Sequence, residues 1–124
     1  MSNFKVNQTH FKLFKKYCEY YLDMFNLRSW RVEYSFDEEP DGYRASYSAH
    51  VTGMCAELAL AAKFDIPPTD KDMKECALHE VLHLLLLHLP TLARDKNVSE
   101  SLMEIEEHRI IRVFENLLAR GVIK

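Results

Sequence analysis

The chain has 124 residues, of which 48% are apolar and 28% charged, and its formal net charge is −3. These values are typical of one globular domain, which we expect to span residues 1–124. The small negative charge argues against a protein that binds nucleic acid or anionic lipid through its overall charge. No segment has the pattern of a secretion signal or the length to span a membrane. Three cysteines at unrelated spacings indicate a reducing cytoplasm rather than a disulfide framework.

The N-terminal half is predicted to contain one helix and three strands. Apolar residues recur every three or four positions over residues 7–26, which indicates an amphipathic helix. Asn7 or Thr9 can cap this helix, and Asn26 can end it in the left-handed conformation. The segments "SWRVEYSF" and "YRASYSAHV" alternate apolar and polar residues, as strands do, and "DEEPDG" between them is typical of a turn. We interpret "CAELALAAKF" as a third strand, because the two prolines that follow leave little length for a helix.

Two helices are predicted for the C-terminal half. The first has its cap at Thr69 or Asp70 and ends at Pro90, before the polar loop "ARDKNVS". The second covers residues 99–120, and Ser101 begins a possible capping box near its start. The order of elements is therefore one helix, a small sheet and two helices, which indicates an α+β fold with one pair of layers.

The first of these two helices carries two histidines and a glutamate in an almost wholly leucine segment, "ALHEVLHLLLLHL". Apolar residues occupy nearly every face, so the helix is expected to be buried, and buried polar groups need partners. His79 and His83 are four residues apart, which places both imidazoles on one face at a spacing that suits zinc. Glu80 is rotated by about 100° from His79, so its carboxylate would lie beside the metal and accept a proton from a zinc-bound water. The segment has the pattern His-Glu-x-x-His, which is typical of zinc hydrolases.

A third zinc ligand is expected on the last helix, within the segment "MEIEEHRIIRVF". The apolar stripe predicted for this helix consists of Met103, Ile110, Ile111, Phe114, Leu117 and Leu118. Glu107 lies three residues before Ile110 and four before Ile111, so we expect its carboxylate to face the core, where a metal would compensate its charge. Glu106 shares part of that stripe, and His108 and Cys76 are further alternatives. His88 lies on a different face of its helix from the two motif histidines. Acidic residues early in a helix also have a simpler explanation, since they stabilise the helix dipole.

Four segments that cover most of residues 29–118 carry a family resemblance: "SWRVEYSF", "CAELALAA", "ALHEVLHLLL" and "EEHRIIRVFENLL". Through them the chain resembles small phage-type zinc metallopeptidases of the zincin-like class, which are related in outline to SprT-like and gluzincin domains. The resemblance implies a zincin-like core with the metal helix against a twisted sheet. It implies that the motif residues are the zinc histidines and the catalytic glutamate, and that the acidic ligand is Glu106 or Glu107. The histidine that SprT-like enzymes use would be His108.

Together these features predict a zinc-dependent metallopeptidase of the cytoplasm, or of the host cytoplasm if a phage encodes it. Zn²⁺ would be held by three side chains: His79, His83 and Glu107. Glu80 would activate the zinc-bound water and pass its proton to the leaving amine of a peptide or protein substrate. Three side chains of the predicted strands are candidates to stabilise the oxyanion: Tyr43, Tyr47 and His50. The substrate is expected to lie along a sheet edge as an added strand.

Two alternative functions remain open at this point. The first is a non-catalytic protein-binding module on a zincin scaffold, with a structural or vestigial metal site. An open fourth position on zinc favours catalysis, whereas four protein ligands favour a structural metal. The second is a DNA-associated protease, against which the net charge of −3 counts.

Overall fold

The computed structural model describes residues 4–94 and 99–119 and confirms the predicted α+β class. The elements are, in chain order, β1 Phe4–Lys5, α1 Gln8–Met24, β2 Arg31–Asp37, β3 Ala45–His50, β4 Cys55–Ala61, β5 Lys63–Phe64, α2 Asp70–Leu86, α3 His88–Arg94 and α4 Glu100–Ala119. Within the described residues, no helix is both long and apolar enough to cross a membrane.

The main sheet has the strand order β2-β4-β3, so β4 is its central strand. Strand β4 runs parallel to β2 and antiparallel to β3, where Tyr47 lies opposite Leu58. Three alternate residues of β4 are buried beneath the helices: Ala56, Leu58 and Leu60. The interpretation of "CAELALAAKF" as a strand is therefore confirmed over Cys55–Ala61. A separate antiparallel pair is formed by β1 and β5.

Helix α1 begins and ends at the residues that local chemistry favours. The Oδ1 atom of Asn7 accepts the His10 N–H at 2.9 Å, and Nδ1 of His10 accepts the Asn7 N–H at 3.1 Å, which closes a capping box. Asn26 follows the helix with a φ of 58°, the left-handed conformation that ends many helices. The buried face of α1 consists of Phe14, Cys18, Tyr21 and Leu22.

Helix α2 packs against both α1 and strand β3. Thr69 is its N-cap: its side chain accepts the Asp72 N–H at 3.2 Å, and the Asp72 carboxylate accepts the Thr69 N–H at 2.9 Å. Of the two predicted caps, Thr69 is thus the one that the structure uses. Five apolar side chains of α2 have no exposed surface: Met73, Ala77, Val81, Leu84 and Leu85.

The predicted end of this helix at Pro90 is wrong, because α2 ends at Leu86 and Pro90 lies inside α3. A proline has no N–H to donate to the carbonyl of the residue four positions earlier, so the hydrogen-bond ladder stops upstream of it. Proline is well tolerated in the first turn of the next helix, where the N–H has no intrahelical partner. Residues 93 and 94 of the predicted polar loop belong to α3, and residues 95–98 lie outside the described residues.

Helix α4 differs from its prediction in its cap and in its buried face. The Leu102 N–H donates to Oγ of Ser99 at 3.2 Å, so Ser99 rather than Ser101 caps the helix. The predicted end at residue 120 lies outside the described residues. The residues that α4 buries are Glu106, Ile110, Val113 and Leu117. Two residues of the predicted apolar stripe, Ile111 and Phe114, are instead 41% and 37% exposed.

Candidate metal centre

His79, Glu80 and His83 lie together on α2, with their nearest ligand atoms within 4.8 Å of one another. The Nε2 atoms of His79 and His83 are 3.2 Å apart, and the planes of the two rings are inclined by 79°. Over residues 4–94 and 99–119, this is the one group of three or more His, Cys, Asp or Glu side chains compact enough to hold a metal ion. The structure thus brings together three of the four predicted site residues.

The separation of the two Nε2 atoms fits a tetrahedral zinc ion. Two Zn–N bonds of about 2.05 Å at the tetrahedral angle place their nitrogens about 3.3 Å apart, close to the observed separation. To bind a metal, both Nε2 atoms must be free of hydrogen, so each imidazole would carry its proton on Nδ1. Without a metal, the same separation allows one ring to donate a hydrogen bond to the other.

The imidazole of His83 is held in place by Tyr47 of the edge strand β3. The two rings stack with their centroids 4.3 Å apart and their planes only 15° from parallel. Burial lowers the pKa of His83, and the neighbouring His79 lowers it further. A lowered pKa favours the neutral imidazole, which is the form that binds a metal. Stacking on Tyr47 therefore holds the ring of His83 in place, and the lowered pKa favours the neutral form that a metal would need.

The carboxyl group of Glu80 is buried, with only 5% of the residue exposed. Burial raises the pKa of Glu80, and the nearby His79 opposes part of that rise. Together with His79, Glu80 lines a cavity of about 330 Å³. A carboxyl group with a raised pKa beside a cavity can accept and return a proton closer to neutral pH than an exposed one.

Glu107, the predicted third ligand, is exposed on α4 and does not belong to the histidine–glutamate group. The expectation that it faces the core is wrong by one position, because the buried carboxylate is that of Glu106, which is 6% exposed. Nε of Arg109 donates to Glu106 at 2.7 Å, and Nη2 of Arg109 donates to the Leu85 carbonyl at 2.7 Å. His88 approaches the other oxygen of Glu106 at 3.7 Å. The guanidinium of Arg109 thus compensates the buried charge of Glu106.

The two remaining alternatives for the third ligand are also placed elsewhere. His108 is exposed, and its Nδ1 donates to the Glu104 carbonyl at 2.7 Å. Cys76 lines the same cavity as His79, but burial raises the pKa of its thiol to about 11, which disfavours the thiolate that binds metals. Neither side chain joins the histidine pair in the structure.

Of the three candidate oxyanion donors, only Tyr47 contacts a residue of the histidine–glutamate group, namely His83. The hydroxyl of Tyr43 donates to the carboxylate of Asp37. His50 is exposed at the far end of β3, opposite Cys55. The alternation of β3 indicates that Tyr47 faces the helices, but the sequence alone does not show that its ring would meet His83.

Comparison of the chain with protein-family models, with curated proteins and with solved structures finds no match. The zincin-like resemblance of the four segments is therefore still a prediction. A function for this chain has to be inferred from its own residues and their geometry.

We expect the protein, when purified without chelator, to carry about one zinc ion per chain. The His79→Ala variant should lose the metal, and its melting temperature should no longer rise when zinc is added, because metal binding is coupled to folding. Elemental analysis and thermal unfolding measure the two effects. His50→Ala, which changes an exposed histidine of β3, is the matched control. Failure of the unmodified protein to bind added zinc would show that this group is not a metal site.

The raised pKa of Glu80 also predicts a pH dependence of stability in the metal-free protein. The folded state holds the Glu80 proton more tightly than the unfolded chain does, so stability falls as the pH rises from the ordinary glutamate pKa to the raised one. Glu80→Gln removes this loss, and its stability relative to the unmodified protein should increase across that pH range. Urea unfolding in the presence of chelator measures the difference. Glu57→Gln, at an exposed position, is the control, and a constant difference for Glu80→Gln would contradict the assignment.

Proposed function

We propose that this protein is a zinc-dependent peptidase in which His79 and His83 bind the metal and Glu80 is the general base. The observation that supports this proposal most directly is the 3.2 Å separation of the two Nε2 atoms, with the buried Glu80 carboxylate within 4.8 Å of them. Two imidazoles next to a carboxyl group with a raised pKa are the set of groups that metal-assisted hydrolysis requires.

Each residue of the group has a distinct part in the proposed reaction. Zinc, when bound, would supply a Lewis acid and a water molecule of lowered pKa. Glu80 accepts the proton of the attacking water and returns it to the leaving amine, and the raised pKa of its carboxyl group suits both transfers. Tyr47 holds the ring of His83 in position, and its hydroxyl is the candidate that could donate to the oxyanion.

The edge strand β3 favours an extended peptide as the substrate. It pairs with β4 on one side, and the described part of the chain contains no strand on its other side. An extended peptide can bind such an edge as an additional strand through main-chain hydrogen bonds. Because Tyr47 of β3 contacts His83, a peptide bound along this edge would pass beside the metal group.

The structure does not place a third protein ligand, because it leaves Glu107 exposed and outside the histidine–glutamate group. Glu107 therefore stays in the proposal only as the candidate that the sequence predicts. In the described ranges its carboxylate makes no ion pair, whereas the Glu106 carboxylate is bound by Arg109. A carboxylate without an ion-pair partner needs less free energy to bind a metal than one that must first break its contact with a guanidinium. With two histidines and one glutamate as ligands, one position on zinc would remain open for catalysis.

The role of Glu80 is tested by replacing it with glutamine. Glu80→Gln should keep its zinc but cleave peptides at least roughly 100-fold more slowly, because an amide cannot accept the proton of the water. The measurements are zinc content and the cleavage rate of an unstructured protein such as casein. Glu57→Gln should cleave at the normal rate.

Two results would change the proposal in different ways. Equal rates for Glu80→Gln and the unmodified protein would remove Glu80 from the mechanism. An unmodified protein that binds zinc but cleaves no substrate would favour the non-catalytic metal-binding module.

The assignment of Glu107 is tested by its effect on zinc affinity. Glu107→Gln should bind zinc at least roughly tenfold more weakly, because a charged ligand is lost. Competition with a fluorescent zinc chelator measures the affinity, and Glu104→Gln, exposed on the same helix, is the control. A loss confined to Glu106→Gln would move the ligand by one position and leave the mechanism intact. Unchanged affinity in both variants would exclude the two glutamates and leave His108, Cys76 or solvent to complete the zinc shell.

A further inference from the structure

Arg44 lines the same cavity of about 330 Å³ as His79 and Glu80. It is the only arginine or lysine among the described residues that line this cavity. Arg44 also lines a larger neighbouring groove of about 790 Å³, between the loop that precedes β3 and strand β5. Arg44 therefore borders both the groove and the cavity that contains His79 and Glu80.

The guanidinium of Arg44 is held in one orientation by contacts on two sides. Its Nε donates to Oδ1 of Asp65 at 2.8 Å, and its Nη2 donates to Oδ2 of the same carboxylate at 3.1 Å. The guanidinium carbon lies 5.7 Å from the centre of the buried Phe64 ring. The backbone is fixed as well, because the Ala61 N–H donates to the Arg44 carbonyl at 2.8 Å.

These contacts leave part of the hydrogen-bonding capacity of Arg44 unused. A guanidinium has five N–H donors, and Asp65 accepts two of them. Within the described ranges, no other acceptor bonds to the remaining donors. The ion pair with Asp65 is exposed, so it offers little energetic resistance to a second carboxylate that shares the guanidinium.

Three carboxyl groups line the cavity around Arg44, and two of them, those of Asp72 and Glu75, have partners of their own. Asp72 accepts the N–H and the hydroxyl of Thr69 at 2.9 and 2.8 Å in the helix cap. Glu75 lies 3.6 Å from the ammonium group of Lys71. The charge of Glu75 is thus partly offset by Lys71, and the oxygens of Asp72 are engaged in the helix cap, so an anionic ligand that reaches Arg44 meets less repulsion than the count of acidic residues suggests.

We infer that Arg44 binds a carboxylate of the substrate next to the metal group and so determines specificity. The inference rests on the proposed peptidase function and names its substrate class: peptides with a carboxylate near the cleaved bond. That carboxylate is either an acidic side chain or the C-terminus of the peptide, and the same guanidinium recognises both. Arg44 therefore selects the ligand, while His79, Glu80 and His83 carry out the reaction.

Peptide binding tests this inference separately from cleavage. The protein is the zinc-loaded full chain with Glu80→Gln, and the probes are labelled alanine-based peptides that contain one Glu, Gln or Lys and end in a carboxylate or an amide. Fluorescence anisotropy should show about tenfold tighter binding of a carboxylate peptide than of its neutral counterpart. Comparison of side-chain and C-terminal carboxylates identifies which of the two Arg44 recognises.

Variants of Arg44 test whether this residue causes the preference for carboxylate peptides. Arg44→Gln should bring the ratio of the affinities for carboxylate and neutral peptides close to one. Arg44→Lys keeps the charge but loses the planar set of donors, so it should retain part of the preference. Arg28→Gln is the matched control, because Arg28 is a similarly exposed arginine that pairs with Asp23 away from the cavity. Thermal unfolding of each variant verifies that it is folded.

The outcomes separate the inference from the proposed function. Four results would overturn the inference. The protein with unmodified Arg44 could bind carboxylate and neutral peptides equally, prefer lysine peptides or bind no peptide, or Arg44→Gln could leave the ratio of the two affinities unchanged. Cleavage without the preference would leave the peptidase proposal standing alone. The preference without cleavage by the unmodified protein would support the role of Arg44 and count against the peptidase.

Discussion

The burial of helix α2 against helix α1 and strand β3 is the constraint on which the rest of the structure depends. Five of its apolar side chains have no exposed surface, and burial of each of the four that are larger than alanine contributes about 2 kcal/mol. A rotation of α2 about its axis would expose several of them, so the direction of every other side chain on this helix is set as well. His79 and His83 consequently face the boundary between α2 and the edge strand, where Tyr47 covers one imidazole.

The same burial affects the protonation of Glu80 and His83. It raises the pKa of Glu80 and lowers that of His83, so it favours the uncharged form of both side chains. Polar groups that burial keeps neutral, as it does Glu80 and His83, are costly while they have few partners. A bound cation would offset this cost, because it would give the histidine nitrogens a ligand bond and the carboxylate an opposite charge. Metal binding and folding are therefore expected to be coupled through α2.

Features that depend on residues close in sequence were predictable, and features that depend on distant contacts were not. The Thr69 cap and the four-residue spacing of the histidines require only local geometry, and both are present in the structure. The buried face of α4 was misjudged because Ile111 and Phe114 were expected to be covered, and nothing among the described residues covers them fully. The contact between Tyr47 and His83 depends on how α2 lies on the sheet, which the strand pattern does not indicate.

Glu106 rather than Glu107 is the buried carboxylate, and the way in which α2 ends before Pro90 explains why. Because this proline cannot donate an N–H, α2 ends at Leu86 and its last carbonyls lack regular helical partners. Arg109, 24 residues from Leu85, donates to the carbonyl of that residue and so places its guanidinium against the end of α2. A guanidinium in that position requires a carboxylate on the same face of α4, and Glu106, three residues earlier on the helix, provides it. The polar contact that orients α4 thus directs Glu106 towards the end of α2 and leaves Glu107 exposed.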